Sequence, residues 1–242
     1  MKKEQLLYYS LKYQGDYFKI KKAIFNQESW SKLKYSGNYL SIFDKNYPLA
    51  LKRLKQAPYI IYYYGDLDLL QKPLISIVGS SVPTYYGLKM TDIIVRQVTT
   101  KQIVVSGLRK GIETRVQLSA LKSGQSIVVL AGGINYIYPK DNYDLYQSLK
   151  KQHLILSEFP GFLKPTRRTF QAQARLIAAL GETLIVTQAD KYSSCFFSVD
   201  QALELGKTVY SIPYQLDDKS GSGCNYLLEL GALYFKIEND LI

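Results

Sequence analysis

The sequence predicts an α/β protein built on a doubly wound, mostly parallel sheet, and three observations predict it. Short apolar runs rich in Val, Ile and Leu alternate with longer amphipathic stretches from about residue 74 onward. Those runs have no polar face, as a strand covered by helices on both sides requires. Seven such alternations in one chain favour parallel strands joined by helical crossovers.

The predicted strands, in order, are LISIV (74–78), IVVS (103–106), SIVVL (126–130), LILSE (154–158), TLIVT (183–187), TVYSI (208–212) and LYFKI (233–237). Helices are predicted between them at roughly 85–100, 111–122, 141–151, 171–180, 194–205 and 224–230. Right-handed crossovers would place every strand's C-terminal end on one edge, where ligands of such sheets bind. Residues 1–46 read as a small helical N-terminal module, with helices over 3–13 and 15–25 and a short third turn from Glu28 to Leu33. Residues 47–242 form the main domain together with its connecting segment. Pro48 and Pro58 interrupt that segment, and YIIYYYG (59–65) supplies one further strand.

At 242 residues and 47% hydrophobic, the chain can bury one good-sized core with a small appendage. Its 31 basic and 20 acidic residues give a net charge of +11. The excess is spread: residues 1–70 hold 12 Lys and Arg against 6 Asp and Glu, and residues 71–242 hold 19 against 14. Such a balance favours an anionic partner, nucleic acid before membrane, with a merely solvated basic surface as the bland alternative. No apolar run approaches the roughly 18–20 residues of a membrane helix, and the N-terminus lacks a secretory apolar region. Cys195 and Cys224 have no CxxC spacing, so a reduced, cytoplasmic setting with free thiols is expected. His153 is the only histidine, which excludes histidine-rich metal sites; it is expected at the surface.

The strand ends carry the candidate site. Gly79, Ser80 and Ser81 follow the first strand of the repeat, and a glycine turn of this kind lets backbone amides approach an anion closely. Ser106 and Gly107 end the second strand, and Gly107 and Gly111 bracket Arg109 and Lys110 ahead of a helix near Ile112. Cations beside free helix amides are well placed to hold phosphate. The fourth strand leads to FLKPTRRTFQAQAR, where Lys164, Arg167, Arg168 and Arg175 occur with no acid between Glu158 and Glu182. Phe170 stands among them, either as a ring for base stacking or as a core residue at a helix start.

Enzymatic signatures are poor: there is no GxGxxG, no Walker sequence, no HExxH and no GxSxG. No catalytic residue, cofactor or metal ligand is predicted. Glu113 and Glu158, at neighbouring strand ends, form a candidate carboxylate pair without the rest of a mechanism. Ser193, Ser194 and Cys195 are expected to cap the following helix.

Taken in order, YPLALKRLKQAPYIIYYYGDLDLL, ISIVGSS, YYG, VVSGLRKGIET, IVVLAGGINYIYPKDN, LILSEFPG, FQAQARLIAAL, ALELGKTVYSIP and SGSGCNYLLELGA resemble the DNA-processing protein A family (DprA, also called Smf) over residues 47–242. The resemblance implies a Rossmann-like core that binds single-stranded DNA, loads a RecA-type recombinase on incoming DNA during natural transformation, forms homodimers and is not an enzyme. It implies a helical N-terminal domain, which residues 1–46 fit in reduced form. The C-terminal winged helix of many members is expected to be absent. The family usually has Gly-Ser-Arg after the first strand, its arginine on phosphate, where this chain has Ser81. It usually has an aspartate where Glu113 stands, an arginine where Gln173 stands, and Ser-Gly where Ser193 and Ser194 stand. Three readings follow: a divergent single-strand binder, a partner-binding module with little DNA affinity, and a nucleotide-binding or nucleotide-cleaving relative. The last group shows a Pro-Gly-Gly-x-Gly-Thr loop that AGGINY (131–136) does not match.

Overall fold

A computed structural model describes residues 1–237 of the chain; the last five residues of the expected 47–242 unit lie outside them. Nine strands form one sheet: β1 (Asn38–Ser41), β2 (Ile60–Gly65), β3 (Leu74–Val78), β4 (Ile103–Ser106), β5 (Ser126–Val129), β6 (Leu154–Ser157), β7 (Thr183–Val186), β8 (Val209–Ser211) and β9 (Leu233–Tyr234). Their spatial order is β1-β2-β6-β5-β4-β3-β7-β8-β9. The pairs from β6 through to β9 are parallel, while β2 runs antiparallel to β6 and β1 antiparallel to β2. All seven predicted runs are strands of this mostly parallel sheet, and YIIYYYG supplies β2.

The nine α-helices among the described residues are α1 (Lys3–Lys12), α2 (Tyr17–Phe25), α3 (Leu49–Lys52), α4 (Tyr85–Val98), α5 (Ile112–Ser123), α6 (Tyr143–Gln152), α7 (Arg167–Leu180), α8 (Phe196–Glu204) and α9 (Ser222–Glu229). From β3 the chain steps through β4 and β5 to β6, then crosses back to β7 on the far side of β3. Right-handed crossovers in opposite directions set α4–α6 and α7–α9 on opposite faces. Val104, Val105, Ile127, Val129, Ile185 and Val186 are fully buried between those layers. Burial on both faces is why these segments read as unbroken apolar runs.

Three expectations need correction. Glu28 to Leu33 forms no helical turn, because its start is tied back onto α1. Tyr9 donates to the Glu28 carbonyl, and Tyr13 and Lys12 donate to the Glu28 carboxylate at 2.5 and 3.0 Å. Helix α7 starts at Arg167 and not near 171, since Thr166 and Thr169 form a reciprocal cap around its first turn. His153 is buried, with its Nδ1 accepting from the Ser126 amide at 2.9 Å. Burial depresses its pKa below the usual imidazole value.

The N-terminal residues pack directly on the sheet. Leu6 and Leu7 of α1 share a core cluster with Ile60 and Tyr62 of β2, and Tyr62 donates to Ser10 at 2.9 Å. Strand β1, within the expected 1–46 module, is the outer strand beside β2.

Candidate nucleic-acid interface

The C-terminal ends of β3 to β7 meet along one edge, and the loops leaving them build the site. The turn after β3 is closed from below. Ser80 donates its amide to the Gln188 carbonyl at 2.8 Å, and its own carbonyl accepts from the Ile112 amide at 3.0 Å. A side chain on Gly79 would meet Ile112 and the Gln188 carbonyl within 3 Å, so Gly79 lets β3 and α5 approach closely. Ser81 is exposed at the rim, and its amide has no acceptor among the described residues.

The loop after β4 is pinned at successive residues. Ser106 donates to the Ile77 carbonyl at 2.7 Å, Gln117 to the Gly107 carbonyl at 3.2 Å, and Asn142 to the Leu108 carbonyl at 2.9 Å. Gly111 holds φ +85 with the Ser80 carbonyl 2.4 Å from where a Cβ would sit, so a larger residue there is both strained and obstructed. The buried Glu113 then turns back onto the loop. It accepts from the Arg109 amide at 2.9 Å and from the Arg109 guanidinium at 2.7 and 2.8 Å. That carboxylate raises the Arg109 pKa still further, and Arg109 also donates to Ser194 at 3.0 Å. Lys110 points outward, and among the described residues its only ion pair is a rim-exposed contact with Asp141 at 3.3 Å.

Phe170 joins this loop to α7. The Arg109 guanidinium lies 5.5 Å from its ring centre, and Tyr138 meets it edge-on at 5.9 Å. Arg167 is one turn earlier on the same stripe of α7, exposed, and together with Lys164 has no side-chain partner among the described residues. Ser81, Arg109, Lys110, Arg167 and Phe170 therefore share the edge.

Arg168 and Arg175 do not. They lie seven residues apart, hence on another face of α7, and line a cavity of about 790 Å³ between α2, residues 53–56, α7 and α8. Arg168 forms a two-pronged pair with Asp16 at 2.7 Å, which holds the Asp16 carboxyl below its usual range. Arg175 is 8% exposed, is paired with Glu158 through two contacts of 2.7 Å, and donates to the Gln56 carbonyl. Gln173 is buried too, its amide given to the Val129 carbonyl at 2.8 Å. Glu113 and Glu158 form no carboxylate pair, because each is clamped by its own arginine. Cys195 stands at the N-cap of α8 with no side chain closing it, and the Ser193 and Ser194 carbonyls accept from the Phe196 and Phe197 amides at 3.2 and 3.3 Å; burial pushes the Cys195 thiol up to about 11.

Sequence reasoning missed the exposed rings on the same edge. Tyr85 opens α4 after the β3 turn, Phe162 follows β6, and Tyr192, 97% exposed, follows β7. Their signal was available: each is an aromatic residue within a few positions of a strand's C-terminal end.

Residues 38–242 match the family described as DNA recombination-mediator protein A. The chain belongs to that family. Among relatives, the DNA processing protein DprA of Streptococcus pneumoniae R6 is 35% identical over 193 residues, covering 79% of this chain and 68% of that protein. DprA of Bacillus subtilis 168 is 35% identical over 198 residues, covering 81% and 67%. The crystal structure of S. pneumoniae DprA superimposes with a TM-score of 0.83 at 29% identity, over 99% of this chain and 92% of that one. A Helicobacter pylori DNA processing protein A, whose structure bears on its single-stranded DNA binding mode, gives 0.76 at 30% identity over 86% and 96%. The family's Rossmann-like core is thus the architecture seen here, and no helix among the described residues is long and apolar enough to cross a membrane.

Proposed function

We propose that the edge above β3 to β7 binds single-stranded DNA and that the chain acts by binding, not by catalysis. One observation carries the reading: the Arg109–Phe170–Tyr138 cluster is fixed beside Lys110, Lys164 and Arg167, of which the last two have no side-chain partner among the described residues. Rings that take any base on their faces, with cations tracking the backbone, suit an unpaired strand of varied sequence. The single-stranded DNA binding mode named for the H. pylori relative supports the same reading. The separate clamping of Glu113 and Glu158 favours a binder over a nucleotide-cleaving relative. In this proposal the chain is a cytoplasmic homodimer that passes the strand to a RecA-type recombinase. A second copy fits best beside the outer strand β9, where Leu230, Leu233 and Tyr234 are exposed.

The test is a titration of a fluorescent oligothymidine of about 20 nucleotides against a duplex of equal length at two salt concentrations. Single strands should bind more tightly, with a salt slope of at least about two, since the three sheet-edge cations alone make phosphate contacts at about 0.7 each. Equal binding to both forms, or to neither, overturns the reading. Co-precipitation with a purified RecA-type recombinase tests the delivery step.

A further inference from the structure

Helix α2 buries one side and leaves an unusual stripe on the other. Ile20 and Ala23 pack beneath it with Tyr9, while Asp16 caps its start by accepting from the Phe18 and Lys19 amides at 3.1 Å. Phe18, Lys21, Lys22 and Phe25 fall at spacings of three, four and seven residues, so they form one outward stripe, with Lys19 beside it. Phe18 is 57% exposed and Phe25 84%. None of the three lysines forms an ion pair among the described residues. The core already takes this helix's apolar side; Phe18 meets only Tyr17 edge-on at 5.5 Å and the Arg168 guanidinium, and Phe25 has no ring or cation contact among the described residues.

The stripe meets the head of α7 through the Arg168–Asp16 pair. The Arg168 guanidinium lies 5.7 Å from the Phe18 ring centre. Arg168 follows Arg167, and Arg167 precedes Phe170 by one turn. The sheet edge ends at Arg109, Phe170 and Arg167, and the α2 stripe of Phe18, Lys21, Lys22 and Phe25 begins on the far side of the Arg168–Asp16 pair.

We infer that α2 is the far end of the single-strand track, where a strand leaving the sheet edge lays its phosphates on Lys21 and Lys22 and stacks bases on Phe18 and Phe25. This rests on the single-strand reading above. Phe18 to Phe25 adds about 10 Å of path at 1.5 Å per residue. The occupant is a nucleic acid strand and not a lipid surface. A membrane-lying helix offers a broad apolar face, and that side of α2 is already against Tyr9.

The test compares oligothymidines of about 6 and about 20 nucleotides on wild type, Lys21→Ala/Lys22→Ala and Phe25→Ala. All three positions are exposed, and thermal unfolding of each variant checks that folding is retained. The double lysine variant should lose affinity for the long strand, with a slope shallower by about 1.4, and bind the short strand as wild type does. Phe25→Ala should weaken the long strand on the order of fivefold at unchanged slope. Wild-type affinity of both variants for the long strand overturns the inference and leaves the sheet-edge reading standing, as does an equal loss on both lengths. Retention of wild type on phosphatidylglycerol vesicles, with long-strand binding untouched by Lys21→Ala/Lys22→Ala, overturns it in favour of a lipid surface. A wild type that binds neither length overturns both readings together.

Discussion

Arg167 and Arg175 stand on one helix, eight residues apart, in a stretch that holds no acid. Arg167 projects from the first turn with no side-chain partner among the described residues. Arg175 is buried two turns below, gripping Glu158 and the Gln56 carbonyl. The same contrast separates Lys110, paired only loosely at the rim, from Arg109, clamped by Glu113. A basic run in a sequence counts charges; the fold decides which of them an outside anion can reach. Counterion release on binding depends only on the second number.

The comparison breaks most easily at Arg175. Arg175→Ala leaves Glu158 buried without its partner, and loss of one member of such a pair costs about 3–5 kcal/mol of stability. Denaturant unfolding should show that loss, while the salt slope of oligonucleotide binding stays at the wild-type value wherever the variant is folded. A changed slope at unchanged stability would place Arg175 back in the track.

His153 sharpens the contrast from the other side, as a polar group expected outside and found inside. His153→Ala strands the Ser126 amide, at about 1–3 kcal/mol by chemical denaturation. Because the folded pKa is depressed below 6.5, the unfolded chain binds the proton more readily. The benefit of keeping the ring neutral is complete above that pH and is lost as pH falls toward the folded value. Melting temperature against pH should therefore bend downward below about 6.5 in wild type and less so in the variant.

Phe170→Ala tests the ring on the accessible edge. It should weaken single-strand binding by about 1–3 kcal/mol without altering the salt slope, since stacking releases no counterions. A matching loss in unfolding free energy would mark the ring as packing alone. Arg167→Ala is the smallest effect: stability within about 0.5 kcal/mol of wild type and a slope shallower by about 0.7, read from affinities at several salt concentrations.

How much could be read in advance follows the same division. The strands β3 to β8 were legible because burial on both faces demands unbroken Val, Ile and Leu runs. Strand β1 was not, since NYLS is a short outer strand with only its last two residues buried. The start of α7 was missed although Thr166 and Thr169 carry the capping signal. The glycine turns were placed at the correct strand ends, because topology alone puts them there. Which cations stay free was illegible. Arg168 finds Asp16 across 152 positions, and Arg175 finds Gln56 across 119. Spacing within α7 did hold part of the answer, since residues 168 and 175 share a face that 170 does not.

Asp16 gives one small group an outsized reach. Its two oxygens close the opening turn of α2 and also fasten Arg168 at the head of α7. The two helices are thereby joined through a single carboxylate, so displacing Arg168 from Asp16 would loosen the contact between α2 and α7. Acid has the same effect: this fastening holds above the ordinary carboxyl pKa and fades as pH falls through the depressed one, so the join between α2 and α7 weakens in acid.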